Sequence, residues 1–223
     1  DLDLFVPRKE NGHIVIGEPI RVTEMGLGAS MHSGPAATIV SRGDKVHVCW
    51  GEATDPDAKV PGVPAFVATY DRTNGTLSEP ALIGYGPPAN DVHNTPSITM
   101  DSGGYLHAIV GTHGRPFLYA RSLHANDAAG GWTEPAPTSK AARQTYVGMA
   151  CGADDTLHLV FRLWHSSEEP FPASYHARLA YQRKPSAGEW EPPVSLVVPP
   201  FSEYSVYRHR LTIDRQGALF LSY

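Results

Sequence analysis

The chain has 223 residues, 41% hydrophobic and 18% charged, with 21 glycines, 20 prolines and a formal net charge of -5. Such a composition describes a loop-rich globular chain, and its mild acidity argues against a nucleic-acid partner, which calls for a basic stripe to displace phosphate counterions. No run of about 18 apolar residues occurs, and residues 1–20 (DLDLFVPRKENGHIVIGEPI) lack the basic-then-apolar order of a secretory signal, so the sequence predicts neither a membrane span nor a leader.

In chain order, four segments read as an alternating strand, a Gly/Asp turn and a second strand: AATIVSRGDKVHVCW, PSITMDSGGYLHAIVG, GMACGADDTLHLVFR and RLTIDRQGALFLSY. Aligned on the turn, they place His47, His107, His158 and Phe220 in register, at intervals of 60, 51 and 62 residues. That is the size of one four-stranded blade. Between them run the outer-strand segments AFVATYDRTNGTLSEPALI, FLYARSLHANDAAGGWTEPAPT and RLAYQRKPSAGEWEPPVSL. No segment sustains a helical period with caps. The reading is therefore all-β, a β-propeller of four-stranded blades spanning 1–223 as one domain. About four blades use up the chain, which stops at Tyr223 inside a strand. A propeller closes to remove its sheet edges, so the sequence predicts a C-terminally truncated ring, completed by further blades or by a second chain. Cys49 and Cys151 sit in the apolar runs VHVCW and VGMAC without CxxC spacing, and read as buried thiols.

In an up-and-down blade the start of the innermost strand lies beside the end of the next. His93 opens the first strand of the second repeat and His113 follows the end of its partner; Tyr146 and Arg162 hold the same two stations in the third repeat. All four are expected at one rim, around one cleft. His32 takes the opening station in the first repeat, and Tyr207, Arg208, His209 and Arg210 take it in the fourth. His47, His107 and His158 recur in another register, which suits a repeated packing role.

The outer segments echo the Gly-x-Trp turn of bacterial neuraminidase repeats. Three stretches, HNTPSITMDSGGYLHAIVGTHG, TYVGMACGADDTLHLVFRLW and PFSEYSVYRHRLTIDRQGALFLSY, resemble the propeller-type polysaccharide lyases, above all ulvan lyases and the related rhamnosyl-glucuronate lyases. The similarity runs from about His32 onward; its most specific features are the histidine pair 20 residues apart and the Tyr146–Arg162 pair 16 apart. It implies a seven-bladed propeller in which His93, His113, Tyr146 and Arg162 are the catalytic groups. It also implies β-elimination next to a uronic acid, an acidic and possibly sulfated polysaccharide as substrate, and a secreted or periplasmic location.

That chemistry asks for identifiable parts. Loss of the carbon-5 proton piles charge onto a carboxylate that is already ionised, so donors on that carboxylate are needed. Arg162 offers a two-pronged fork and His113 a further donor. Tyr146 suits the proton transfer once a nearby cation lowers a phenol whose ordinary pKa is about 10. Iduronate presents its proton on the opposite face, for which His93 is the second base, or else a positioning group beside Asn94. Arg208, His209 and Arg210, with Tyr207, are the expected contacts to a sulfated neighbour. No cofactor is required. Eleven histidines invite a metal, yet no HxxxH or His/Cys pair with ligand spacing lies on one strand face, so no ligand set is readable. The alternatives are a sialidase-like glycoside hydrolase, which needs a carboxylate-activated tyrosine and an arginine triad, and a non-catalytic carbohydrate-binding propeller.

Overall fold

The computed structural model describes residues 1–28, 37–140, 143–166, 175–199, 206 and 208–223. His32 and Tyr207 lie outside the described residues. Those described form strands, turns and bends with no helix among them, so the fold is all-β.

Strands β1 (Leu2–Leu4), β2 (Pro7–Glu10), β3 (His13–Ile16) and β4 (Ile20–Thr23) make two antiparallel pairs, β1 with β4 and β2 with β3. The first large sheet holds β5 (Ile39–Arg42), β6 (Lys45–Gly51), β7 (Val63–Asp71), β8 (Thr76–Leu77) and β9 (Ala81–Gly86). Next come β10 (Ser97–Met100), β11 (Leu106–Val110) and β12 (His113–Arg115), then β13 (Leu118–His124), β14 (Asp127–Trp132) and β15 (Ala136–Pro137). All but β12 form the second sheet. The third runs β12, β16 (Gln144–Cys151), β17 (Leu157–Ser166), β18 (Tyr175–Lys184) and β19 (Val194–Val197), and a hairpin of β20 (Arg210–Ile213) and β21 (Leu219–Ser222) follows.

Each sheet is antiparallel and consecutive, as the alternating patterns predict. The simple four-stranded count is altered in two ways. In the first two sheets the fourth strand is broken, so that β8 and β9 both pair β7, and β14 and β15 both pair β13. In the third, β12 arrives from the preceding repeat. Sheets meet through their first strands: β10 packs against β5 and β16, and β16 against β20. Apolar side chains fill the interfaces, with Val67, Ile98, Leu106 and Ala108 in one cluster and Phe117, Val147, Leu159 and Phe161 in the next.

The in-register histidines lie on the second strand of their sheets and tie it to its neighbours. His47 Nδ1 is 2.9 Å from Thr69 Oγ1, and its Nε2 3.0 Å from Asn126 Oδ1. His107 and His158 each place Nδ1 2.7 Å from a tyrosine hydroxyl, of Tyr119 and Tyr181. Burial lowers all three below the usual imidazole pKa. Cys49 is buried, and Cys151 half-buried with its thiol pushed up by burial to about 12; both are free thiols.

Candidate functional site

The site begins with a close backbone approach. A Cβ on Gly86 would stand 2.7 Å from the Gly111 Cα, so only glycine lets the end of β9 lie against the turn after β11. Gly111 takes a φ of 67°, and beyond it the chain leaves the second sheet: β12 pairs β16, with His113 opposite Thr145. His113 thus reaches the third sheet. Thr112, buried, donates its hydroxyl to the carbonyls of Thr95 (2.9 Å) and His93 (3.3 Å), and so stitches the loop before β10 to β12.

That loop, NDVHN, supplies a residue the sequence analysis missed. Asp91 places Oδ1 2.7 Å from His93 Nδ1 and Oδ2 2.6 Å from His113 Nδ1, while the His93 amide donates to Oδ1 at 3.0 Å. Burial by itself would raise this carboxyl, but the His93 amide and the two imidazoles outweigh it and hold Asp91 below the usual carboxylate range. The two rings stack with centroids 4.4 Å apart. The only signal in the sequence was an acidic residue two positions before His93, in a loop that no strand pattern places.

Tyr146 stands against both imidazoles, its ring centroid 5.8 Å from that of His113 and 6.0 Å from that of His93. Its φ of 57° is a left-handed conformation that costs a non-glycine residue about 1–2 kcal/mol, at a register shift between Thr145 and Gly148. Two bonds hold this bulge: the Tyr146 amide donates to the Thr112 carbonyl at 3.0 Å, and the Tyr146 carbonyl accepts from His209 Nε2 at 2.6 Å. His209 Nε2 also lies 3.2 Å from the Val160 carbonyl. Burial depresses His209 to about 4, against the pull of those two carbonyls, so the ring is neutral and carries its proton on Nε2.

Arg162 stacks beneath, with its guanidinium carbon 4.1 Å from the Tyr146 ring centroid and its Nε 3.4 Å from Thr145 Oγ1. The result is layered: the side chains of His93 and His113 are 29% and 30% exposed, whereas Tyr146 and Arg162 are 2% and 1% exposed.

The structure thus brings His93, His113, Tyr146 and Arg162 together. Burial then separates the expected residues. Arg162 lies buried against the Tyr146 ring. Asn94 is 4% exposed; its amide reaches back to the Pro87 carbonyl, and its Oδ1 faces Gly86, which ties it into the loop. His209 is 1% exposed beneath Tyr146 and does the same for the bulge. Arg208, with a φ of 61°, and Arg210 are exposed on either side of it.

Asp91, His93 and His113 are also the three described residues that could hold a metal ion, with ligand atoms all within 4.8 Å of one another. A zinc ion bonds nitrogen at about 2.0–2.1 Å, which spreads tetrahedral ligand atoms to about 3.3 Å. The 2.6 and 2.7 Å separations here are instead those of N–H···O⁻ hydrogen bonds.

A family model described as BNR repeat-containing family member matches residues 64–223. No curated protein matches the chain. Among solved structures, one described as an ulvan lyase from a new family of polysaccharide lyase superposes with a TM-score of 0.59 at 16% identity, covering 86% of this chain and 41% of that one. The same lyase bound to -[GlcA(1-4)Rha3S]- gives 0.56 at 15% identity, over 85% and 42%. A protein of unknown function from Dyadobacter fermentans gives 0.52 at 12% identity, over 91% and 65%. The likeness is one of fold, and the chain spans less than half the length of the ulvan lyase it superposes on.

Proposed function

Starting from a chain that belongs to the BNR repeat-containing family, we propose that it is part of a polysaccharide lyase that cleaves a rhamnose(sulfate)-uronate polymer such as ulvan by β-elimination. The observation that carries the reading is the stack of two imidazoles, a phenol and a guanidinium, drawn from the loop before β10 and from three strands of the third sheet, at successive separations of 4.4, 5.8 and 4.1 Å. The ulvan lyase complex with -[GlcA(1-4)Rha3S]- supports the choice of substrate class. The consecutive sheets meeting through their first strands are read as blades of one propeller, whose ring is completed by blades or a chain not present here. Such an enzyme meets its polymer as a secreted or periplasmic protein.

In the proposed reaction the Tyr146 phenolate takes the carbon-5 proton, the released electron pair forms the C4=C5 double bond, and the C4–O bond breaks. The proton then passes from Tyr146 to the departing oxygen, and no water is consumed. Arg162 lies over the ring face with its guanidinium carbon 4.1 Å from the centroid, and a unit charge roughly 5 Å from the phenol oxygen is worth roughly 3 kcal/mol at an effective dielectric of about 20, favouring the phenolate. His113, at the solvent side, donates to the uronate carboxylate. His93 is the base for a proton on the opposite face. A sialidase-like hydrolysis calls for a carboxylate on the tyrosine; among the described residues Asp91 is the carboxylate of this cluster, and it has its two oxygens on the imidazoles.

The test is the product. Ulvan digested by the enzyme yields oligosaccharides with an unsaturated uronate at the new non-reducing end, absorbing in the near ultraviolet. Saturated ends carrying an added water would refute elimination.

A further inference from the structure

We propose that Asp91 is a positioning residue that sets the tautomer and the ring orientation of both site imidazoles at once. An ionised carboxylate can only accept hydrogen bonds, and Asp91 is held ionised. Each Nδ1 lying 2.7 or 2.6 Å from one of its oxygens must therefore be the donor. Both rings carry their proton on Nδ1, and Nε2 is the nitrogen each has left for a substrate.

The consequence rests on the lyase reading above. A neutral ring protonated at Nδ1 presents a lone pair at Nε2, which is what a base at His93 requires. His113 presents an N–H at Nε2 only as the imidazolium, and the single charge of Asp91 balances one such cation. One carboxylate thus allows two stacked histidines to take opposite parts, acceptor and donor. Its geometry also explains the stack: the two oxygens of a rigid carboxylate hold the ring centroids 4.4 Å apart, and the His93 amide on Oδ1 fixes the carboxylate's own rotation.

The experiment uses the whole chain labelled with nitrogen-15. Long-range proton–nitrogen spectra of the wild type should show His93 and His113 protonated at Nδ1. In Asp91→Asn the amide offers one acceptor and one donor, so one ring should switch to the Nε2–H tautomer. Turnover on the polysaccharide should fall by at least about tenfold, as expected for a mis-set tautomer, with little change in KM. Wild-type rings protonated at Nε2 and bare at Nδ1, or tautomers unchanged by the substitution, overturn the proposal. So does an equimolar addition of zinc that binds through the Nδ1 atoms together with loss of activity in chelator, which would make the triad a metal site. If Asp91→Asn fails to fold, the wild-type spectrum still decides. The spectra stand apart from activity: the predicted tautomers in a protein that eliminates nothing would sink the lyase reading and leave the positioning by Asp91 intact.

Discussion

His209 makes a quantitative prediction about acid stability. Its imidazole is 1% exposed, and burial depresses it to about 4 from an ordinary 6.5. Above pH 6.5 neither the folded nor the unfolded state binds a proton there. As pH falls below 6.5 the unfolded chain takes one up while the folded chain does not, so stability present above 6.5 is lost progressively until pH reaches about 4. The slope is about 1.4 kcal/mol per pH unit, which gives about 2 kcal/mol lost by pH 5 and about 3 kcal/mol by pH 4. His209→Gln retains an amide N–H where Nε2 donates to the Tyr146 carbonyl but does not titrate. Urea unfolding at pH 7 and pH 5 for both proteins checks this. The variant should lose about 2 kcal/mol less than the wild type over that interval, whatever the other buried histidines add to both slopes. Equal losses would refute the assignment of His209 as a neutral donor under Tyr146.

Tyr146→Phe should leave the unfolding midpoint nearly unchanged and abolish turnover, since the ring and its stacking remain while the exchangeable proton is lost; activity within tenfold of wild type would remove Tyr146 from proton transfer. Gly86→Ala should destabilise by about 1–3 kcal/mol in denaturant titration, because the new methyl meets the Gly111 backbone at 2.7–2.8 Å with no side chain able to yield. His93→Asn should lower activity on iduronate oligosaccharides more than on glucuronate ones; an equal factor on both epimers would make His93 a substrate-positioning group.

Strand alternation, Gly/Asp turns and the recurrence of a histidine at one register were enough to read an all-β chain of consecutive antiparallel sheets, because these are local properties of the backbone. The meeting of His93, His113, Tyr146 and Arg162 was legible for the same reason: antiparallel pairing forces the start of one strand beside the end of the next. Which way each side chain then faces was not. His209 follows Arg208 in a left-handed conformation that no residue type announces, and it turns inward under Tyr146. Arg162 lies one strand away from Tyr146, opposite Thr145 at the edge of the bulge, and its 1% exposure comes from packing that strand spacing does not carry. Asp91 belongs to a loop without period, where sequence spacing carries no geometry. Its place between two imidazoles exists only because β9, the loop before β10 and the crossing strand β12 converge on the glycine contact at Gly86 and Gly111. Periodicity is written residue by residue along the chain, whereas the partners of a buried charge are chosen by packing between segments far apart in it.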